Sequence, residues 1–281
     1  MRLCQLSEAK RFEFFSEGLP IILESAQGFW KAAQQLKDTS PREAAVLVGF
    51  AEEEAAKILI LMDGARCPAK LVPGKLNVII GWFYDHLARL IYAEAVGWKP
   101  SHLAELRSYV DHHRRTHSIE GYVGEYIVPN GPVDARERKL YADIEAYDDG
   151  TLAWSAPPTR VLRSSWSTRS APHALLVAEA MQQLGLFSVA GLKATSQIWG
   201  RVEFKDAANN HDGNRLMEAL LERLIAEKLP LETAEQEHVS ALYNDWQIPM
   251  CNLDLSPIVV SREELEAEQE RAYWSEAGDP R

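Results

Sequence analysis

The sequence contains only three cysteines, Cys4, Cys67 and Cys251, and they lie far apart in the chain. Their odd number and the lack of a Cys-x-x-Cys pair disfavour both a disulfide framework and a cysteine-based zinc site. The sequence also lacks any apolar run near the roughly 18 residues that a membrane-spanning helix needs, so no membrane association is predicted. The first residues have no continuous apolar core of the kind that secretory signals carry. We therefore expect a soluble protein that stays in the cytoplasm.

Several common catalytic motifs are missing as well. The chain has no phosphate-binding loop of the Gly-x-x-x-x-Gly-Lys type, no Gly-x-Gly-x-x-Gly and no Gly-x-Ser-x-Gly. Nucleotide hydrolysis, dinucleotide binding and a serine-hydrolase nucleophile therefore find no support in the sequence, and no cofactor is predicted.

Positive charge is scarce, since 30 lysines and arginines face 41 aspartates and glutamates and the formal net charge is −11. Such a surface repels nucleic acid over most of its area, so an RNA site would have to be a local basic patch. One basic patch lies between positions 107 and 117, where Asp111 is the only acidic residue. Its basic members are Arg107, His112, His113, Arg114, Arg115 and His117.

Apolar residues, in contrast, are plentiful at 46% of the chain, which is typical of a packed globular protein. The spacing of apolar residues and helix breakers predicts an all-α, mainly helical fold. We expect an antiparallel helical bundle over residues 1–118, a small β or irregular insert over 119–160 and a C-terminal helical region over 161–281. The predicted bundle helices lie near 7–36, 40–63, 73–96 and 100–117. The insert is predicted to hold a strand near 122–128 and a helix near 134–146, and later helices are predicted to begin near 172, 214, 232 and 261.

Two of the predicted bundle helices carry charged residues where apolar ones are expected. A stripe of helical spacing on the second helix includes Glu54 and Lys57, and a similar stripe on the third includes His86 and Arg89. If the two helices pack antiparallel, these four side chains could meet. One interpretation is a structural ion-pair network, with Glu53 and Glu54 as partners of Lys57 and Arg89. The other is a polar functional pocket, because a histidine beside a carboxylate and two cations is the composition of sites with tuned pKa values.

A second candidate site lies on the predicted fourth helix. Arg107 and His112 are five positions apart, which is about 140° around an ideal helix. They would share a site only if the backbone deviates or a second subunit contributes one of them. Arg107 with Asp111 also has the spacing of an ordinary i,i+4 ion pair on a solvated face.

Two other histidine-containing segments are interpreted as structural. His113 and His117 have a spacing that can hold a metal on a helix, but Glu120 is the only further ligand nearby, so no metal site is predicted. His211 and its neighbours Asp212 and Gly213 are predicted to form the polar turn and N-cap before a helix that starts at Asn214.

Two of these segments resemble motifs of the AbiV family of abortive infection proteins. The stretch from Phe50 to Leu59 resembles the Glu-Glu-x-x-Lys helix of that family, with Glu53, Glu54 and Lys57 at the motif positions. The stretch from Phe83 to Leu90 is similar to its Asp-His-x-x-Lys element. Asp85 and His86 match that element, and Arg89 stands where a lysine is usual. The resemblance covers about residues 10–115.

The resemblance implies both a fold and an activity. AbiV proteins are bacterial antiphage factors that look related to the all-helical HEPN group. Many HEPN members are metal-independent ribonucleases that dimerise and join an arginine and a histidine, four to six residues apart, at the dimer interface. Carried over, this makes Arg107 and His112 catalytic, although Ser108 departs from the Asn, Asp or His that is usual in the motif. The residues expected to shape or support the cleft are Glu53, Glu54, Lys57, His86 and Arg89.

The implied reaction is RNA cleavage with the ribose 2′-OH as the nucleophile. The implied partners are a second copy of the chain, an RNA substrate bound by Arg114 and Arg115, and a phage-derived or antitoxin protein. A different class of function stays open, namely a non-catalytic helical sensor or scaffold of a defence system, in which the buried charges serve only the fold.

Overall fold

The computed structural model describes residues 2–98, 100–146, 150–157, 170–205, 208–246 and 248–277. The chain is mainly helical, with 65% helix and two small antiparallel sheets of two strands each, and this confirms the expected fold class. Among the described residues, no helix combines the length and the apolarity that crossing a membrane requires. The helices are α1 (Glu8–Leu36), α2 (Pro41–Arg66), α3 (Val72–Trp82), α4 (His86–Gly97), α5 (Leu103–His113), α6 (Gly131–Leu140), α7 (His173–Gln183), α8 (Val189–Trp199), α9 (Asn210–Ala226), α10 (Gln236–Asp245) and α11 (Arg262–Ala277). The strands are β1 (His117–Glu120), β2 (Tyr126–Pro129), β3 (Asp143–Ala146) and β4 (Leu152–Ser155).

The core forms around α2. Buried apolar side chains lie on every side of this helix between Ala55 and Met62, and a helix that is apolar all round belongs in the interior. α1, α4, α7 and α8 all pack against it. One hydrophobic core therefore joins helices from both ends of the chain, with Leu23, Ile58 and Trp199 almost fully inaccessible.

The helix predicted over residues 73–96 is in fact two helices, α3 and α4. α3 ends at Trp82 and the backbone becomes extended at Asp85, which caps α4 because its side chain accepts a hydrogen bond of 2.8 Å from the backbone N–H of Ala88. Apolar spacing continues through the break, which is why it was not predicted. As a result, His86 and Arg89 lie in the first turn of a new helix.

The insert contains more strand than the sequence indicated. α5 ends at His113, four residues before the predicted end at 117, and β1 and β2 then form an antiparallel hairpin. The predicted helix over 134–146 is wrong in its bounds, because α6 begins at Gly131 and residues 143–146 form β3, which pairs with β4. Asn130 causes the early start: its side chain caps α6 by accepting from Val133 N–H and donates to the carbonyls of His113 and Arg115.

The C-terminal helices begin close to where they were predicted, with one correction. α9 starts at Asn210 rather than near 214, because Asn209 and Asp212 form a capping box. His211 and Gly213 therefore lie inside the first turn of the helix and not in a preceding loop. Gly185, with a φ of +80°, lets the chain turn sharply after α7.

A buried ion pair joins α2 to the segment after α10. Asp63 and Arg66 are 0% and 3% exposed, and Arg66 Nε donates to Asp63 over 2.5 Å. Asp63 also accepts from the Tyr92 hydroxyl at 3.0 Å and from the Met250 backbone N–H at 2.7 Å. The Arg66 guanidinium lies 4.2 Å from the ring centroid of Trp246. These contacts satisfy both charges internally and hold Trp246 and Met250 against the core.

Candidate functional site

A buried carboxylate on α2, Glu53, lies at the centre of a group of ionisable side chains. Only 3% of Glu53 is exposed. Its Oε2 lies 2.7 Å from Nδ1 of His86 and 3.2 Å from Nη1 of Arg89, both on α4. Its Oε1 accepts a hydrogen bond of 2.6 Å from Nε of Arg136 on α6. Three helices therefore meet at one carboxylate, and we call these four residues the Glu53 cluster.

The break between α3 and α4 helps to assemble the Glu53 cluster. The guanidinium of Arg89 donates to the backbone carbonyl of Tyr84 at 3.2 Å and to that of Asp85 at 3.1 Å. Both carbonyls precede the first residue of α4, so an arginine in the first turn can reach back to them. Arg89 is thus held in place to meet Glu53, whose charge would be costly to bury without a partner.

The predicted ion pairs are confirmed, but the predicted facing of the two helices is not. Glu53 pairs with Arg89, and Glu54 pairs with Lys57. His86 and Arg89 face Glu53, so the prediction that they could meet Glu54 and Lys57 is wrong. Successive residues of a helix point about 100° apart. The predicted stripe on α2 was therefore one residue out of register with the face that α4 covers.

His86 is the member of the Glu53 cluster that solvent reaches most easily, because 54% of its side chain is exposed. Nη2 of Arg89 lies 3.3 Å from Nδ1 of His86, and Nδ1 donates to the Glu53 carboxylate when it carries the ring proton. In the neutral ring, Nε2 is then the hydrogen-bond acceptor. A carboxylate that sets the tautomer of an accessible imidazole is an arrangement that general bases use.

A cleft of about 400 Å³ opens beside the Glu53 cluster, between α2, α4, α6 and the start of α7. Glu52 lines this cleft, and burial raises its pKa, an effect that Lys139 opposes and Glu94 reinforces. The sequence analysis missed Glu52, Glu94, Arg136 and Lys139. The only signal for Glu52 was its place in a run of three glutamates. Nothing in the sequence linked the two cations of α6 to α2, because they belong to the insert.

Arg107 and His112, the predicted catalytic pair, are both exposed on α5. Because they lie five positions apart on one regular helix, their side chains leave it in directions about 140° apart. A single chain therefore does not bring them together. The pKa of His112 is lowered by partial burial and by the neighbouring positive groups His113 and Arg115, while Glu120 opposes the shift.

Arg114 and Arg115, the predicted RNA-binding residues, are paired with carboxylates. Arg114 donates to Asp111 at 2.8 Å and to Asp254 at 3.0 Å. Nη2 of Arg115 donates to both carboxylate oxygens of Glu268 on α11, at 2.8 and 2.9 Å. A cleft of about 710 Å³ lies between this end of α5 and α11.

The histidine pair considered for a metal does not share a helix. α5 ends at His113, whose Nδ1 lies 2.8 Å from the carbonyl oxygen of Tyr109, and His117 begins β1. The i,i+4 spacing therefore does not place the two rings on one helical face. Within the described ranges, no group of three His, Cys, Asp or Glu side chains has an arrangement that could hold a metal ion.

The fold and the two polar sites describe a mainly helical protein with one ionic cluster inside its bundle and a basic segment at its surface. Comparison with known proteins found no matching family model, no matching curated protein and no matching solved structure.

Proposed function

We propose that this protein is an antiphage abortive-infection protein that acts in the cytoplasm as a metal-independent endoribonuclease. The observation that supports the proposal most directly is the Glu53 cluster. Glu53 belongs to the segment that resembles the Glu-Glu-x-x-Lys helix of AbiV proteins, and His86 and Arg89 belong to the segment that resembles their Asp-His-x-x-Lys element. His86 is 33 positions from Glu53, and nothing in that separation requires contact between the two side chains. Their convergence is expected if the two segments form one polar centre.

In this proposal, the catalytic site is Arg107 and His112, and it is completed by a second copy of the chain. Both residues are exposed on α5, where a partner or a substrate can reach them. Their directions on the helix prevent one chain from placing both at the same phosphate. A homodimer that brings two α5 helices together would join Arg107 of one protomer with His112 of its partner. The Glu53 cluster would hold α2, α4 and α6 in the arrangement that supports this interface.

The chemistry needs only these two residues and the RNA itself. His112 removes the proton from a ribose 2′-OH, and the 2′-oxygen attacks the adjacent phosphorus. The Arg107 guanidinium stabilises the negative charge that develops on the phosphoryl oxygens. The bond from phosphorus to the 5′-oxygen then breaks, that oxygen takes up a proton from water, and the His112 imidazolium returns its proton to solvent. The products are a 2′,3′-cyclic phosphate and a 5′-hydroxyl end. The lowered pKa of His112 favours the neutral imidazole that this role requires at neutral pH.

The experiment is a cleavage assay with purified protein and RNA in the presence of EDTA. Wild type is expected to produce fragments that end in 2′,3′-cyclic phosphate. His112→Ala is expected to slow cleavage by about 100-fold or more, whereas replacing His211, an exposed histidine on α9 outside the basic patch, by alanine should leave the rate unchanged. Mixing Arg107→Ala and His112→Ala subunits should restore activity, because one site of each mixed dimer keeps both residues. Undiminished cleavage by His112→Ala, or no cleavage by wild type, would refute the proposal.

A second candidate function is a non-catalytic helical sensor or scaffold in a bacterial defence system. The pairing of Arg114 and Arg115 with carboxylates favours it, because neutralised arginines attract RNA weakly. In cells that express the protein, a plaque assay with infecting phage separates the two functions. The ribonuclease requires that His112→Ala abolish protection from phage. A scaffold keeps its protection in that variant and loses it only when the fold is disturbed.

A further inference from the structure

The C-terminal segment, residues 254–277, lies against the basic end of α5. It is attached first through the backbone: the Ile258 N–H donates to the Arg114 carbonyl and the Thr116 N–H donates to the Ile258 carbonyl, both at 2.8 Å. The N–H of Val260 then donates to the Thr116 side chain at 3.1 Å. Residues 258–260 thus extend along the chain that leaves α5.

The C-terminal segment brings negative charge to the two arginines that follow α5, Arg114 and Arg115. α11 contains six glutamates and two arginines over residues 262–277. Asp254 accepts a hydrogen bond from Arg114, and Glu268 accepts two from Arg115. The acidic side chains therefore occupy the positions at which phosphate groups of a bound RNA would meet these arginines.

α11 is held by few apolar contacts. Leu265 is its only buried residue among those described, at 3% exposure. Polar contacts also attach it to the hairpin, such as the bond of 2.8 Å from the Gln269 side chain to the Gly124 carbonyl. A helix without a continuous apolar face gains little from burial. A competing polyanion could therefore displace it at modest cost.

The contact between Arg115 and Glu268 leaves one strong donor without a partner. Both carboxylate oxygens bind the same nitrogen, Nη2, while Nε of Arg115 is buried and donates to no acceptor among the described residues. A guanidinium binds phosphate best through two parallel N–H groups. A phosphate that engaged Nε and Nη2 together would satisfy Arg115 more fully than Glu268 does. The adjoining cleft, which Ser108 and His112 line from α5, has room for a nucleotide at about 710 Å³.

We propose that the C-terminal segment is an autoinhibitory element that covers the phosphate-binding face of α5 and that RNA displaces it. This inference rests on the proposed ribonuclease function, because it assigns Arg114 and Arg115 to the substrate of that same site. It would also weaken RNA binding beside His112, because an RNA must first displace the protein's own glutamates.

The test compares Glu268→Gln with Glu266→Gln in the full chain. Glu266 lies on the same helix, and its partner Arg262 belongs to α11 itself. The two variants change net charge equally, because each replaces one glutamate by glutamine. Binding of a fluorescent single-stranded RNA is measured by anisotropy in EDTA at several salt concentrations. Glu268→Gln is expected to tighten binding by about tenfold and to steepen the slope of log K against log salt by about 0.7 for each arginine that gains a phosphate. Glu266→Gln should match wild type.

A second variant shows whether the gain passes through Arg115. Adding Arg115→Gln to Glu268→Gln should return the affinity to the wild-type value. Hydrogen exchange should also show faster exchange of the Thr116 and Ile258 amides in Glu268→Gln than in Glu266→Gln. Equal RNA affinities for Glu268→Gln and Glu266→Gln would overturn the inference.

These measurements keep the two proposals apart. Tighter binding of RNA by Glu268→Gln without any cleavage would refute the ribonuclease and leave the autoinhibitory element standing. Cleavage by wild type that Glu268→Gln leaves unchanged, with no gain in RNA affinity in that variant, would refute the autoinhibitory element and leave the ribonuclease standing.

Discussion

Replacing Glu53 by alanine should destabilise the protein far more than replacing Glu54, its neighbour on α2. Glu53 accepts a charge-assisted hydrogen bond from Arg136, which contributes about 1.5–3 kcal/mol, and it forms an ion pair with Arg89 at 3.2 Å. Arg89 is only 9% exposed, so water cannot replace the lost carboxylate there, whereas Arg136 at 19% is partly hydrated. We therefore expect Glu53→Ala to lower the free energy of unfolding by about 3–5 kcal/mol, the cost of breaking a buried ion pair.

Glu54→Ala is the matched control, because it removes the same side chain from the same helix. Its ion pair with Lys57 is partly exposed, so a loss of about 0–1 kcal/mol is expected. Urea unfolding followed by far-UV circular dichroism measures both variants, with equal slopes against urea required for the comparison. Equal losses below about 1 kcal/mol would show that the Glu53 cluster is hydrated and does not determine the packing of α2, α4 and α6.

Two further predictions concern Asp63, which is buried, and Glu52, which is partly buried. Asp63→Ala removes the acceptor for Arg66, Tyr92 and the Met250 N–H. It should therefore lower the free energy of unfolding in urea by about 3–5 kcal/mol and speed hydrogen exchange at the Met250 amide. A loss below about 1 kcal/mol would contradict this assignment. Burial raises the pKa of Glu52 above 4.5, so the folded state binds the carboxyl proton more tightly than the unfolded state. The resulting stabilisation is present at low pH and is lost as the pH rises through the raised pKa. Glu52→Gln should therefore be more stable than wild type at neutral pH, and unfolding measured across pH should show a smaller decline above 4.5; an unchanged profile would contradict the burial of this carboxylate.

Much of the helical architecture could be predicted because it depends on local signals. Apolar spacing indicated α1 and α2 closely, and the charged helix that follows Ser261 begins where the capping pattern placed it. Predictions failed where a single polar residue outweighed the apolar spacing. Asp85 caps a new helix inside an apolar run, and Asn130 starts α6 early. A side chain that caps a helix supplies a hydrogen bond, and apolar spacing contains no information about that bond.

The sequence by itself determined that this is a helical protein with charged residues on helix faces where apolar ones are expected. Composition and apolar spacing are properties of the chain and need no tertiary structure. Which charges meet was decided by tertiary structure. Glu52, Glu53 and Glu54 differ by about 100° in direction around α2, and only the packing of α4 and α6 selects Glu53 to receive Arg89 and Arg136. Arg115 likewise acquires its partner from Glu268, which is 153 positions away. Contacts across such separations depend on how whole helices pack, and no local pattern specifies them.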